Sequence, residues 1–399
     1  MWHNIGKCYH DVQDDKSAEE FFRKALKVKP NFASSLEGLS MVNVEKAEWG
    51  MAIEYANRAL AEEDLLEARV NRGMAYLALG RWKEGWRDYN CNIGINSNRE
   101  EIKYGSEPRW DGTKGLDVVV YGEQGIGDEI SFSSCIPDMI RDCKSVTIET
   151  DTRLERLFAR SFPQCKVYGT RYKKGIPAWR QKKFDARVAV GKLCEMYRNK
   201  NEDFPDGKYL VPNPVMALQW RALLKSLGDK PKIGLAWHGG LPHTGRKRRS
   251  VTLDTLAPIL KYDADFVSLQ YVGAEDIKPA EEKYGVKIHE WEWGNKVPDY
   301  DQTVALVSEL DLVISVCTSV VHAAGALGKE CWVLVPRAPM WRYMDTSFGS
   351  YFPWAKSIKL FRQKGPEWPV HLMLGQLRDK FGDHLRDGHR EGKELQAAA

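Results

Sequence analysis

Apolar and small residues recur at helical spacing through the first ninety or so residues. Trp2, Ile5, Gly6, Tyr9, Ala18, Phe22, Ala25 and Pro30 follow the pattern W-x2-LG-x2-Y, A-x3-F, A, P, in which two short amphipathic helices fold back on each other. Thirty-four residues on, Ala52 and Ala59 reoccupy the small positions of Ala18 and Ala25, where the helices of a hairpin approach closely. A looser third copy starts near Glu67, with Gly73 and Tyr76 in the LG-x2-Y slots and "LGRWKEGW" as its turn and second helix. The pattern predicts three stacked helical hairpins within residues 1–105.

After the turn-rich "SEPRWDG" (Ser106 to Gly112) the period changes. Short apolar runs begin at Leu116, Ser145, Cys165 and Phe184, the earlier ones separated by amphipathic helical stretches, and a second set begins at Lys232, Asp265, Val286, Leu310 and Cys331. Strands alternating with helices predict parallel, doubly wound sheets covered on both faces. The fold class is therefore α/β with an N-terminal all-α repeat: two Rossmann-like domains, 106–213 and 214–399, the second ending in a helix. A proline-bounded helix in "PNPVMALQWRALLKSLGDKP" is read as a hinge between them. Ligands of open parallel sheets sit at the carboxyl ends of the strands, so the natural site is the cleft between the halves.

Composition narrows the function classes. The chain of 399 residues exceeds one core, and 29% charged and 43% hydrophobic residues are ordinary for a soluble globular protein. A net charge of +4 does not by itself call for nucleic acid or an anionic membrane. The eight cysteines form no CxxC pair and no zinc spacing, which fits reduced thiols and no metal site. No leader pattern or membrane span is visible, so a cytoplasmic protein is expected. The hairpins match the tetratricopeptide repeat, which serves either as a concave docking surface for a partner or acceptor or as a brace on the next domain.

Candidate chemistry gathers in three stretches. "VVVYGEQGIGDEISF" (Val118 to Phe132) runs a strand into a turn with three glycines and places Asp128 at the start of a helix. It is an incomplete dinucleotide fingerprint: Gly125-x-Gly127 continues to Ile130, although Asp151 lies where a ribose ligand is expected. Asp128 and Glu129 would repel a pyrophosphate there. Asp128 serves either as a helix cap or as a reactive carboxylate. "TGRKRRS" brings Arg246, Lys247, Arg248, Arg249 and Ser250 just after a strand and the Gly239-Gly240 turn, which favours phosphate binding by Arg248 or Arg249. In "SVCTSVVHAAGAL", Thr318 and Ser319 cap a helix whose amides suit an anionic diphosphate, with His322 in its first turn.

Taken together, "GEQGIGDEISFSSCIPDM", "GLAWHGGLPHTGRKRRSVTL" and "DLVISVCTSVVHAAGALGKECWVLVPRAPMWRY" make the chain similar to the bacterial heptosyltransferase-type glycosyltransferases (family 9), in the branch with N-terminal tetratricopeptide repeats. The resemblance implies the GT-B architecture, a nucleotide-sugar co-substrate, and no essential metal or cofactor. It implies Asp128 as general base, beside an acceptor-side turn of Glu123, Gln124, Gly125 and Gly127. It sets His322 against the donor, where a structural histidine is the competing role; the further donor-side candidates, read from the residues, are His238, Gly239, Arg248 and Arg249 (otherwise a solvated basic loop), Ser268 and Gln270 (otherwise a plain strand end), Thr318, Ser319 and Trp341, the last with Arg342 and Tyr343 over the base. Core packing is the competing role of Trp341. The sequence departs from the family at Cys317, where related chains usually carry aspartate.

Inverting transfer needs one base to deprotonate an acceptor hydroxyl as it attacks the anomeric carbon opposite the leaving nucleotide. The acceptor remains open between a protein or peptide held by the repeats, a lipopolysaccharide-like glycan and a hydroxylated base in DNA. The basic stretch Arg171 to Arg187, with Tyr172 and Trp179, is either a phosphate-binding surface or an exposed loop. Two other functions compete: a catalytically degenerate repeat-based adaptor, silenced at Cys317, and a dinucleotide-dependent oxidoreductase.

Overall fold

The structure is a computed structural model that describes residues 1–95, 99–171, 175, 177–205, 207–240, 246–296 and 298–385. Three helical hairpins open the chain: α1 (Trp2–Asp11) with α2 (Asp15–Val28), α3 (Ala33–Glu45) with α4 (Trp49–Glu62), and α5 (Leu66–Ala78) with α6 (Trp82–Tyr89). Asp14 starts α2 by accepting the Ser17 N–H at 3.1 Å. The small residues Ala18, Ala52 and Ala59 are fully buried, as the repeat spacing requires.

The first half is β1 (Asp117–Tyr121), α7 (Ile126–Phe132), α8 (Ile136–Asp142), β2 (Ser145–Glu149), α9 (Glu155–Ser161), β3 (Lys166–Tyr168), β4 (Ala186–Ala189) and α10 (Leu193–Tyr197). The second is α11 (Pro214–Lys225), β5 (Lys232–Ala236), α12 (Arg246–Arg249), α13 (Ala257–Leu260), β6 (Asp265–Ser268), α14 (Ile277–Tyr284), β7 (Ile288–His289), α15 (Glu292–Asn295), α16 (Tyr300–Glu309), β8 (Leu312–Val316), α17 (Ser319–Ala326), β9 (Cys331–Val335), β10 (Ile358–Arg362) and α18 (Val370–Phe381). The sheet orders are β3-β2-β1-β4 and β10-β9-β8-β5-β6-β7, with every described strand pair parallel. All nine strands read from the sequence are present, and β10 is an addition to them.

The topology decides where chemistry collects. Strand order reverses beside β1, which pairs with both β2 and β4, and beside β5, which pairs with both β6 and β8. The loops leaving β1, β5 and β8 therefore line the two switch-point crevices. The segment read as a hinge packs on the second half. Asn213 caps α11 by accepting the Val215 and Met216 amides at 3.0 and 3.2 Å, and Trp220 Nε1 donates to Gln302 of α16 at 3.1 Å. The halves are fastened by an Arg160–Asp301 ion pair and by the Tyr209 and Leu210 amides, which donate to Ala326 O at 3.1 and 3.2 Å.

The third hairpin belongs to the same apolar core as both halves. Trp86 packs edge-on against Phe132, Trp341 and Trp354, with ring centroids 6.4, 5.5 and 6.3 Å away, and its Nε1 donates to Arg198 O at 2.7 Å. Trp82 donates to Asn201 at 2.8 Å. Trp82 and Trp86 thus bury their rings across the boundary between the repeats and the α/β halves.

Candidate active site

The glycine-rich turn ends with Gly125 as the N-cap of α7. Asp128 Oδ2 accepts the Gly125 N–H at 3.1 Å, so the carboxylate does cap the helix. Its Oδ1 does something else: it forms a 2.5 Å ion pair with Arg342, which arrives from the opposite half. Gly127 explains the close approach. A Cβ there would lie 3.4 Å from Ser319 Cα and 3.3 Å from the His322 ring, so even a methyl group would be in tight contact with α17.

α17 enters this junction by its N-terminus. Thr318 caps it, accepting the Val320 N–H at 3.3 Å, and the Tyr300 hydroxyl donates to Ser319 Oγ at 3.3 Å. Ser131 Oγ donates to Gly127 O at 3.0 Å and lies 2.7 Å from His322 Nδ1. A hydroxyl has one proton to give, so Nδ1–H is the donor in the second contact and Nε2 keeps its lone pair. Burial, reinforced by the nearby Arg342 charge and opposed by Asp128, lowers the His322 pKa to about 4. The imidazole is neutral near pH 7 and does not act there as a proton donor. Arg249 Nη1 stands 3.5 Å from Cys317 O and 3.7 Å from Met340 Sδ, beside the same helix end. The buried Cys317 thiol, pushed up to about 12 by desolvation, stays protonated and adds no charge.

Other residues singled out in the sequence have different surroundings. Arg248, one of the two arginines expected on phosphate, turns to the repeats, pairing with Asp15 and Glu45 at 2.8 Å each. Trp341 is 2% exposed and packs among Trp86, Tyr89 and Trp354, so of its two roles core packing holds. Glu123 is buried in a 2.8 Å ion pair with Arg99, away from the reach of an acceptor. Glu129 is sealed between Arg171, Thr150 and the Asp151 amide, and desolvation raises it to about 7 against the pull of Arg171. Gln270 takes the Trp237 and His238 amides at 2.6 and 2.7 Å, and Ser268 Oγ accepts the Gln270 N–H at 3.3 Å; both side chains are buried ties at strand ends.

His238 Nε2 lies 2.6 Å from Asp276, an acidic partner the sequence reading did not name. The Gly239 amide donates to Ser250 Oγ at 3.0 Å. Asp151, the residue that left an oxidoreductase open, is occupied by Arg153, whose backbone and guanidinium both donate to it. In the basic stretch, Arg171 and Arg180 are paired with Glu129 and Glu149. Tyr172, Thr244 and Gly245 lie outside the described residues. A cavity of about 670 Å³ between Lys46–Trp49 and the ends of β9 and β10 includes none of the GxGD turn. Among the described residues no cluster of three or more His, Cys, Asp or Glu side chains could hold a metal, and no helix is long and apolar enough to cross a membrane.

Known proteins add the following. Residues 1–32 match the family model of the tetratricopeptide repeat. Protein FlbA of Caulobacter vibrioides is 28% identical over 386 residues, covering 90% of this chain and 63% of the relative. The chain thus spans just under two thirds of that relative's length. Among solved structures, the glycosyl transferase family 9 protein of Veillonella parvula superposes with a TM-score of 0.45 at 12% identity, over 72% of this chain and 94% of that one. The ADP-heptose lps heptosyltransferase II of E. coli does so with a TM-score of 0.44 at 12% identity, over 66% and 98%.

Proposed function

We propose that the chain is an inverting glycosyltransferase that moves a sugar from a nucleoside-diphosphate donor to an acceptor hydroxyl, without a required metal. The observation that carries this reading is the meeting of Asp128, at the end of the β1 turn, with the capped N-terminus of α17 and Arg249 across the junction of the halves. A carboxylate at one switch point is the group an attacking hydroxyl needs; amides and a guanidinium at the other are what a leaving diphosphate needs. The order and spacing of the three motifs in the sequence support the same reading.

In this mechanism Asp128 takes the acceptor proton as the oxygen attacks the anomeric carbon. The first-turn amides of α17 and Arg249 stabilise the negative charge that builds on the departing diphosphate. Arg249 and the helix end supply positive charge that many transferases draw from a metal. His322, neutral and held by Ser131, shapes the pocket and offers Nε2 as an acceptor to a donor hydroxyl. With the third hairpin acting as a brace, the first two hairpins dock the acceptor or a partner.

Thermal unfolding against a panel of nucleoside diphosphates, nucleosides and nicotinamide dinucleotide tests this. A cognate nucleoside diphosphate at a hundred times its dissociation constant should stabilise by ~2–3 kcal/mol. Arg249→Ala should abolish most of that shift and leave the weaker response to the bare nucleoside. No stabilisation by any nucleotide would favour the adaptor; a response to the dinucleotide alone would favour the oxidoreductase.

A further inference from the structure

Asp128 is linked to the second half directly through Arg342, and to the repeats through Arg342, Gln124 and Tyr89. Arg342 is 5% exposed, and its guanidinium lies 4.3 Å over the Trp341 ring and 5.2 Å from Phe132. A cation buried this far needs a counter-charge, and Asp128 of the other half supplies it at 2.5 Å. The same Arg342 Nη2 donates to Gln124 Oε1 at 3.4 Å, and that oxygen also accepts the Tyr89 hydroxyl at 3.1 Å. Tyr89 is the last residue of α6, in the repeats. Its ring stands edge-on to Trp341 at 5.3 Å and under the Arg99 guanidinium at 4.6 Å, and Arg99 also donates to Tyr89 O at 3.0 Å.

From this geometry, and resting on the transferase reading, we infer that Arg342 is a positioning residue for Asp128 and that Tyr89 holds it through Gln124, so that the repeat domain forms part of the catalytic scaffold. With Oδ2 on the Gly125 amide and Oδ1 on Arg342, both carboxylate oxygens are engaged and these two contacts set its orientation. Each clamp comes from a different part of the chain. A general base acts only from a narrow range of distances and angles, and a shift of about 1 Å can lower turnover by ~100-fold. The hairpins therefore act on the chemistry as well as on binding.

The test uses the full chain and the nucleotide-sugar that stabilises it most in a thermal panel, with nucleoside-diphosphate release as the rate and nucleoside-diphosphate affinity as the control. Tyr89→Phe should lower kcat by ~5–10-fold, Arg342→Lys by about 10-fold and Arg342→Gln by ~100-fold, while nucleoside-diphosphate affinity stays within about twofold. In an Asp128→Asn background none of the three should lower kcat further, which a merely structural role would not produce. Tyr89→Phe keeps the ring and its packing, so it remains informative if Arg342→Gln fails to fold.

Wild-type kcat in both Tyr89→Phe and Arg342→Lys would overturn the inference. So would losses that add to that of Asp128→Asn, or affinity falling in step with rate. These outcomes leave the transferase reading standing. A wild type that binds no nucleotide, or binds it without turning over any donor, removes that reading and the inference with it.

Discussion

Asp128 is held by a backbone amide on one oxygen and a guanidinium on the other, and His322 sits beside it as a neutral ring. The histidine makes a pH prediction. Its folded pKa of about 4 lies below the ordinary imidazole value of 6.5, so between those values the unfolded chain binds more protons. Its contribution to stability is fully present above about pH 6.5 and is lost as pH falls toward 4, by about 3 kcal/mol over the whole window. The half-buried Glu37 and the buried Glu129, both raised to about 7 by desolvation, act in the opposite direction, so the comparison must be differential. In urea unfolding at pH 7 and pH 5, His322→Asn should lose less stability on acidification than the wild type. Equal losses would mean that the ring is solvated in the folded state.

In the hairpin α5/α6, Gly73 sits where the first helix meets the end of the second. A Cβ on Gly73 would lie 2.4 Å from the Tyr89 backbone nitrogen, so Gly73→Ala must force the two helices apart. It should lower stability by about 1–3 kcal/mol in a denaturant titration, the range for overpacking, and disturb Tyr89 as well. An Ala variant as stable as the wild type would show that α6 yields. Gly73 was legible in the sequence because a repeat fixes the position of its small residues. The strands were legible too, since parallel strands buried on both faces read as short apolar runs. β10 was not: "IKLFR" alternates over only five residues and is framed by the turns around Gly349 and Gly365. The candidate site was legible as motifs and not as contacts. Nothing local in "RKRR" tells that Arg248 faces Asp15 and Glu45 while Arg249 faces Cys317, because partners that far away in sequence are set by packing. Arg342 stood in view between two aromatic residues after a strand end, yet its partner Asp128 lies on α7 of the other half.

The whole molecule is three units closed on one another, with the first hairpin tied to the second half by Arg248. Arg248→Ala should loosen that hairpin, lower overall stability by about 1 kcal/mol or less, and speed proteolytic nicking within residues 1–45. Nucleoside-diphosphate binding should not change, in contrast to Arg249→Ala. If Arg248→Ala weakens that binding as much as Arg249→Ala does, both arginines face phosphate in solution and the tie to the repeats is secondary. The central claim is sugar transfer driven by Asp128, and the most direct measurement is nucleoside-diphosphate release from a panel of nucleotide-sugars, with water taking the sugar in the acceptor's place, by the wild type and Asp128→Asn. The account predicts that the wild type releases nucleoside diphosphate from at least one donor. Asp128→Asn, which keeps the size and much of the capping ability of the residue, should be slower by roughly two to four orders of magnitude with binding intact. Near-wild-type release by Asp128→Asn, or no release from any donor by the wild type, would contradict it.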